Sequence, residues 1–375
     1  MVVRLMNAEI LVFSLAVVLC APLFISAEDF DGIIHYANET HLRNVRQLTF
    51  GGQNAEAYFS FDNQQLIFQS SNAYGDKCDQ IYRMQLNGSC ALQAIRMSTG
   101  IGVCTCSYFM PDNRNVLFAS THRTLTTCPG KLCESEVARQ NETLNKLCHS
   151  APYNYTWDLT PQFEIYMANE YGHILAQLTN NSVYDAEATV SPDGRSIVYT
   201  SMETGDPELF VLSINGTDKV QVTNVTGYDG GAYFSPDSTK LVFRASRPNT
   251  TEGLELYRAL LEWNVVSPIQ MEIFVANADG SNLTQITNLG AANWAPFWEP
   301  NGTAVIFSSN HKTTNFGFNL WMIGENGENL QQITYDPIFD AFPMFSFDGK
   351  YLVWESHRNA SAMDDFNIFI AEWVD

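Results

Sequence analysis

Val190-Ser191-Pro192-Asp193-Gly194, running into Arg195-Ser196-Ile197-Val198-Tyr199, holds the key to the fold. Proline presets the first turn position, aspartate caps the nearby amides and glycine accepts a positive φ, so the stretch reads as a tight hairpin between two strands. Related turns recur at residues 59–63, 109–113, 234–238, 298–302 and 345–349, each followed by a strand-like run such as Leu66-Ile67-Phe68 or Leu352-Val353-Trp354. A second signal follows each copy, clearest at residues 272–287: a strand, an Asp279-Gly280 turn, and a strand ending in Ile286-Thr287. Two hairpins per repeat give four strands. The copies, counted at Ser60, Met110, Ser191, Ser235, Glu299 and Ser346, are spaced by 50, 81, 44, 64 and 47 residues. A base period in the mid-forties is that of a propeller blade. The expected fold is all-β, a six-bladed β-propeller with four-stranded antiparallel blades.

The last blade, ending in Asn367-Ile368-Phe369-Ile370-Ala371-Glu372-Trp373, lacks an outermost strand, and Leu42-Arg43-Asn44-Val45-Arg46-Gln47-Leu48-Thr49 matches it. An N-terminal strand completing the last blade closes the ring and pairs edges that otherwise invite aggregation. One closed domain over residues 28–375 is expected, carrying long insertions at 121–162 and 247–270.

At the Ser-Pro-Asp-Gly turns and the Asp-Gly turns with their Leu-Thr endings, the chain resembles the TolB-like, WD-repeat-like propeller family of secreted and periplasmic proteins. Stretches such as Tyr184-Asp185-Ala186-Glu187-Ala188 and Gly227-Tyr228-Asp229-Gly230-Gly231 add to the likeness. It covers nearly the whole mature chain and implies the fold, since propellers host enzymes, receptors and scaffolds alike. TolB carries an additional N-terminal α/β domain, whereas about fifteen residues precede the first strand here, so a Tol–Pal role is not expected.

Arg4, an apolar run from Ile10 to Ile25, and Ser26-Ala27 before Glu28-Asp29 describe a secretory signal peptide over residues 1–27. The run is short for a membrane span and Pro22 interrupts it, so no membrane span is expected in the mature chain. Asn-x-Ser/Thr sequons begin at Asn38, Asn87, Asn141, Asn154, Asn180, Asn215, Asn224, Asn249, Asn282, Asn301 and Asn359. About four would arise by chance from the composition, and the excess points to a eukaryotic, glycosylated, extracellular protein. The net charge of −21 repels phosphate backbones, which excludes nucleic acid as a partner. Cys78, Cys90, Cys104, Cys106, Cys128, Cys133 and Cys148 are disulfide candidates, an odd number that leaves one free or intermolecular. Their confinement to residues 78–148 suggests a local staple.

Pro-Asp-Gly and Asp-Gly turns fall on one face of a propeller, and the loops into the innermost strand and between the second and third strands fall on the other. Both insertions belong to the second kind, and residues 135–147 and 252–263 read as short helices within them. Six places before each aligned turn residue come Asn54, Cys104, Asp185, Asp229, Asn293 and Asp340; two places further on come Glu56, Cys106, Glu187, Gly231, Ala295 and Phe342. Asp185, Asp229 and Asp340, with Asn54, Asn293, Glu56 and Glu187, are expected to ring the channel with oxygen donors. Such a ring suits Ca²⁺ or another divalent cation, the three aspartates being the metal candidates, or a substrate amine. The alternative is that these residues cap the inner strands. His122, Arg244, His311 and His357, in the loops after the second strands, complete the ligand-binding candidates.

No Gly-x-Ser-x-Gly elbow, His-Glu-x-x-His pair or Walker loop occurs. The leading expectation is a secreted binding module for an extracellular peptide, protein segment or saccharide at the loop face of the channel. Alternatives are a hydrolase or lyase acting on polysaccharide or peptide at the channel mouth, and an extracellular scaffold.

Overall fold

The computed structural model of the chain describes residues 34–88, 92–149, 155–313 and 317–375. The expected signal peptide, Cys90 and Asn154 lie outside the described residues. Six four-stranded antiparallel sheets form the blades of a propeller. Their innermost strands are Gln53–Phe59, Cys104–Phe109, Asp185–Val190, Asp229–Phe234, Asn293–Trp298 and Asp340–Phe345, which define blades 1 to 6. Leu42–Gln47 pairs antiparallel with Asn367–Trp373 as the outer strand of blade 6.

Local chemistry explains each hairpin. In Ser191-Pro192-Asp193-Gly194 the serine hydroxyl donates to Asp193 Oδ1 at 2.6 Å, Arg195 N donates to the same carboxylate at 3.0 Å, and Gly194 takes φ 71°. Ser60 with Asp62, Ser235 with Asp237, and Ser346 with Asp348 repeat the serine–aspartate bond. The Leu-Thr endings also have a physical role. The hydroxyl of Thr179, Thr223, Thr287 or Thr334 accepts an amide of the third strand in its own blade, from Ile165, Leu209, Ile273 or Leu320. Ser98 does the same for Ile81, and Thr49 for Ile368, so the N-terminal segment is chemically equivalent to the other outer strands.

The centres of the second strands are apolar and buried, as in Leu66-Ile67-Phe68, Val116-Leu117-Phe118 and Val305-Ile306-Phe307. They form the core between neighbouring blades. The segment before the first strand is fastened by Arg358, whose side chain is fully buried between the carboxylates of Glu39 and Asp340.

Both insertions stand over one face and pair with each other: Trp157–Asp158 of the first forms a two-stranded sheet with Val265–Val266 of the second. The expected helix at 135–147 is two helices, Glu136–Gln140 and Glu142–His149, preceded by a 3₁₀ turn at Leu132–Glu134. The helix of the second insertion is Thr251–Leu261, with the Thr250 hydroxyl capping Gly253 N. Cys78–Cys128 ties the first insertion to blade 1 and Cys133–Cys148 closes it on itself. Cys104 and Cys106 are free thiols, which corrects their assignment as disulfide candidates: both lie on an innermost strand, and the Cys104 thiol instead donates to Ser120 Oγ at 3.2 Å. Among the described residues no helix is long and apolar enough to cross a membrane.

Candidate functional site

Every innermost strand carries a bulge. Register slips between residues 55 and 58 in blade 1, and at the equivalent place in each other blade. The bulged residues Glu56, Cys106, Glu187, Gly231, Ala295 and Phe342 all take φ between 46° and 60°. A bulge re-aims its residue, and here all six residues border the channel cavity or the small void at its floor. Two residues further on, Tyr58, Tyr108 and Tyr233 converge with ring centroids 5.8 to 6.3 Å apart. With buried Thr189 and Met344 and the Phe297 ring, 5.1 Å from Tyr233, they plug the channel. What remains above the plug is a cavity of about 1150 Å³ at the loop face, roofed by both insertions.

Its walls differ. An aromatic arc runs from Trp157 to Trp294 at 5.2 Å, on to Phe318 at 4.2 Å, Phe339 at 5.6 Å and Phe366 at 5.1 Å, with Tyr155 over Trp294 at 5.9 Å. The other walls carry Glu56, Asp79, Asp158, Glu187 and Glu355, with Lys131 and Arg244 as cations.

Arg244 lies in the strand Lys240–Ala245 rather than in a loop, which corrects its expected place. Because Gly231 has no side chain, the guanidinium reaches the Glu187 carboxylate of the neighbouring blade and lies 4.9 Å over Trp157. Glu187 also accepts from Tyr228 OH at 2.7 Å, Thr200 Oγ1 at 2.6 Å and Gly231 N at 2.9 Å. Its charge is fully met. Glu56 accepts from the Tyr58 hydroxyl at 3.3 Å, with the Cys106 thiol beside it. Burial pushes its pKa up to about 7, against the pull of Arg244. Glu355 is 7% exposed, and its Oε2 has no hydrogen-bond partner among the described residues. Burial, then the charges of Glu56 and Asp79, drive its pKa well above the ordinary carboxylate range.

The expected ring of oxygen donors does not form. Asn54, Asp185, Asp229, Asn293 and Asp340 stand at the starts of their strands, buried and bonded to neighbouring elements as strand caps. Asn54 Nδ2 donates to Gly51 O and Phe366 O, both at 3.0 Å; Asn293 Nδ2 donates to Met271 O at 2.8 Å. Asp185 accepts from Asn181 at 2.6 Å, Asp229 pairs with Arg247 at 2.5 Å, and Asp340 with Arg358 at 2.7 Å. Burial raises the Asp185 and Asp229 pKa values to about 6 and about 7. Each aspartate is engaged separately, and among the described residues no group of three or more His, Cys, Asp or Glu is placed to hold a metal ion. The three aspartates expected as metal ligands are thus held separately, each by its own partner.

The histidines also divide. His122 and His311 bond through Nδ1 to Ser120 and Ser309, each at 3.0 Å, and pack on Tyr166 and Trp321, both at 4.3 Å or less. His357 packs on Phe366 at 5.7 Å. Only His311 of the three lines the cavity. Burial, aided by Lys312, lowers its pKa. Of the residues expected to bind ligand, Glu56, Glu187, Arg244 and His311 are therefore brought together. Glu355, Asp79 and the aromatic arc had not been anticipated. Glu355 did leave a signal, as the one charge inside the apolar run Leu352-Val353-Trp354-Glu355-Ser356.

No sequence family matches the chain, and no curated protein matches it. Solved structures do. A protein assigned as TolB from Agrobacterium tumefaciens superposes with a TM-score of 0.54 at 16% identity, covering 86% of this chain and 91% of that one. TolB from Acinetobacter baumannii gives 0.48 at 14% identity, over 74% of this chain and 53% of that one. An oligogalacturonate lyase in complex with manganese gives 0.45 at 11% identity, over 88% and 93%. The fold is that of a TolB-like six-bladed β-propeller.

Proposed function

We propose that the protein is a binding module that receives an extended segment of a partner protein in the loop-face cavity. One observation carries this reading: a blind cavity of about 1150 Å³, plugged below by tyrosines and roofed by two insertions that pair with each other. Its size is that of a ligand site, with room beyond a single small molecule. The aromatic arc offers contiguous apolar surface to side chains, in the manner of interface anchors. A propeller fold supplies such a site without obligatory chemistry.

The setting is extracellular in this proposal, after removal of residues 1–27. Disulfides such as Cys78–Cys128 and Cys133–Cys148 persist in oxidising compartments. Sequon asparagines Asn38, Asn87, Asn180, Asn215, Asn224, Asn249, Asn282 and Asn301 are exposed, and Asn141 and Asn359 partly so, as glycan attachment requires.

The test is panning of a random-peptide display library against the full chain, with a glycan array in parallel and a Tyr155→Ala/Trp157→Ala variant as control. Peptides sharing a motif, and failing on the variant, are expected. Peptides that bind the variant equally well, or enrichment of glycans instead, would overturn the reading. A second reading, hydrolysis or lysis of a peptide or polysaccharide, is favoured by the Glu56 carboxyl, whose pKa near 7 suits general acid–base work. Turnover of captured peptides or glycans that Glu56→Gln abolishes would establish it.

A further inference from the structure

The cavity has a charge imbalance that points to the chemistry of its occupant. Of its carboxylates, Glu187 is neutralised by Arg244, which is thereby used up. Lys131, the other cation, is exposed and sits 3.6 Å from Glu134. Glu56, Asp79, Asp158 and Glu355 have no ion-pair partner within 4 Å among the described residues. An uncompensated buried carboxylate is costly, and such groups are ordinarily paired. Glu355 is the sharpest case: it faces the cavity, is more than nine-tenths buried, and carries an oxygen with no partner among the described residues.

We infer that this acidic end receives the ammonium or guanidinium group of a lysine or arginine side chain of the bound segment, with Glu355 as its principal acceptor and Glu56 and Asp79 beside it. The inference rests on the peptide-binding reading and narrows it. Two features favour an organic cation over a metal ion. The described carboxylates form no group placed to hold a metal. The same cavity also carries a run of aromatic faces, which attract ammonium and guanidinium groups and bury the aliphatic stem of a long basic side chain. The cavity already holds an internal example, since the Arg244 guanidinium lies between the Glu187 carboxylate and the Trp157 ring. A second basic side chain entering from outside would repeat that arrangement at Glu355.

The experiment is ligand-observed NMR on the full chain with three probes: the N-acetyl amides of arginine, lysine and norleucine. The two cations are expected to bind at least tenfold more tightly than norleucine, whose side chain has similar bulk and no charge. Glu355→Gln should remove that preference while leaving norleucine binding unchanged. Glu56→Gln serves as the second variant should the first fold poorly. Equal affinity for all three probes, or a cation preference that survives both variants, would overturn the inference. If the display experiment still yields peptides lost on the roof variant, the peptide-binding reading stands without it; if neither experiment finds ligand, both fall.

Discussion

Arg244 and Glu355 occupy the same step of the second strand in blades 4 and 6, opposite Gly230 and Ala341. Their surroundings make them opposites. Arg244 crosses a space left by Gly231 and meets a carboxylate that three further donors already hold. Glu355 is buried to a similar degree but faces the like charges of Glu56 and Asp79. One side of the channel is electrostatically finished, and the other waits for a cation. A charge that is satisfied internally holds structure, whereas one left unmet inside a cavity points to a ligand.

The strongest way to break this comparison is Arg244→Ala. It strands the buried Glu187 carboxylate and should destabilise the fold by about 3–5 kcal/mol in denaturant unfolding. Adding Glu187→Gln should recover much of that loss, and a double-mutant cycle would measure the coupling. Gly231→Ala comes next, at about 1–3 kcal/mol from overpacking. The five non-glycine bulge residues tolerate the same positive φ, so the loss should come mainly from the collision of the new methyl with the Arg244 guanidinium. Mutating Ala295 to Gly, at the equivalent step of blade 5, should then have little effect on the same unfolding curve.

Glu355→Gln should act in the opposite direction. Replacing a buried carboxyl whose pKa burial drives up with a neutral side chain of the same shape raises the melting temperature at pH 7.5. The gain should fade as pH falls toward the ordinary glutamate value, because the wild-type carboxyl then takes up its own proton. The smallest effect belongs to Glu56→Gln. With its folded pKa near 7 and an ordinary value of 4.5, Glu56 contributes stability that is fully present below about 4.5 and lost as pH rises through about 7. The difference between wild-type and variant melting curves should change across that window and be flat on either side.

The turn chemistry made the fold legible in the sequence. Ser-Pro-Asp-Gly and Leu-Thr are local devices whose hydrogen bonds join near neighbours in the chain or strands of one hairpin, so their repetition specifies blades directly. The site was only partly legible. Counting from the turn led to Asn54, Asp185, Asp229, Asn293 and Asp340 as channel residues, yet their side chains fasten strand ends. The bulge intervenes, and it is Glu56 and Glu187, two places on, that turn inward. No residue type announces that bulge, since glutamate, cysteine, glycine, alanine and phenylalanine all adopt it. Cys104 and Cys106 show the same limit: their number and neighbourhood suggested pairing, but the strand sends them to different partners.

By itself, then, the sequence determined the six-fold repeat, the blade architecture and the face on which the insertions stand, because period-two strands and turn residues act over a few bonds. Only the tertiary structure decided that the channel is plugged, that the two insertions clasp each other over it, and that Arg244 is matched while Glu355 is not. Those outcomes depend on which side chains meet across blades far apart in the chain, where burial rather than local propensity sets the energy.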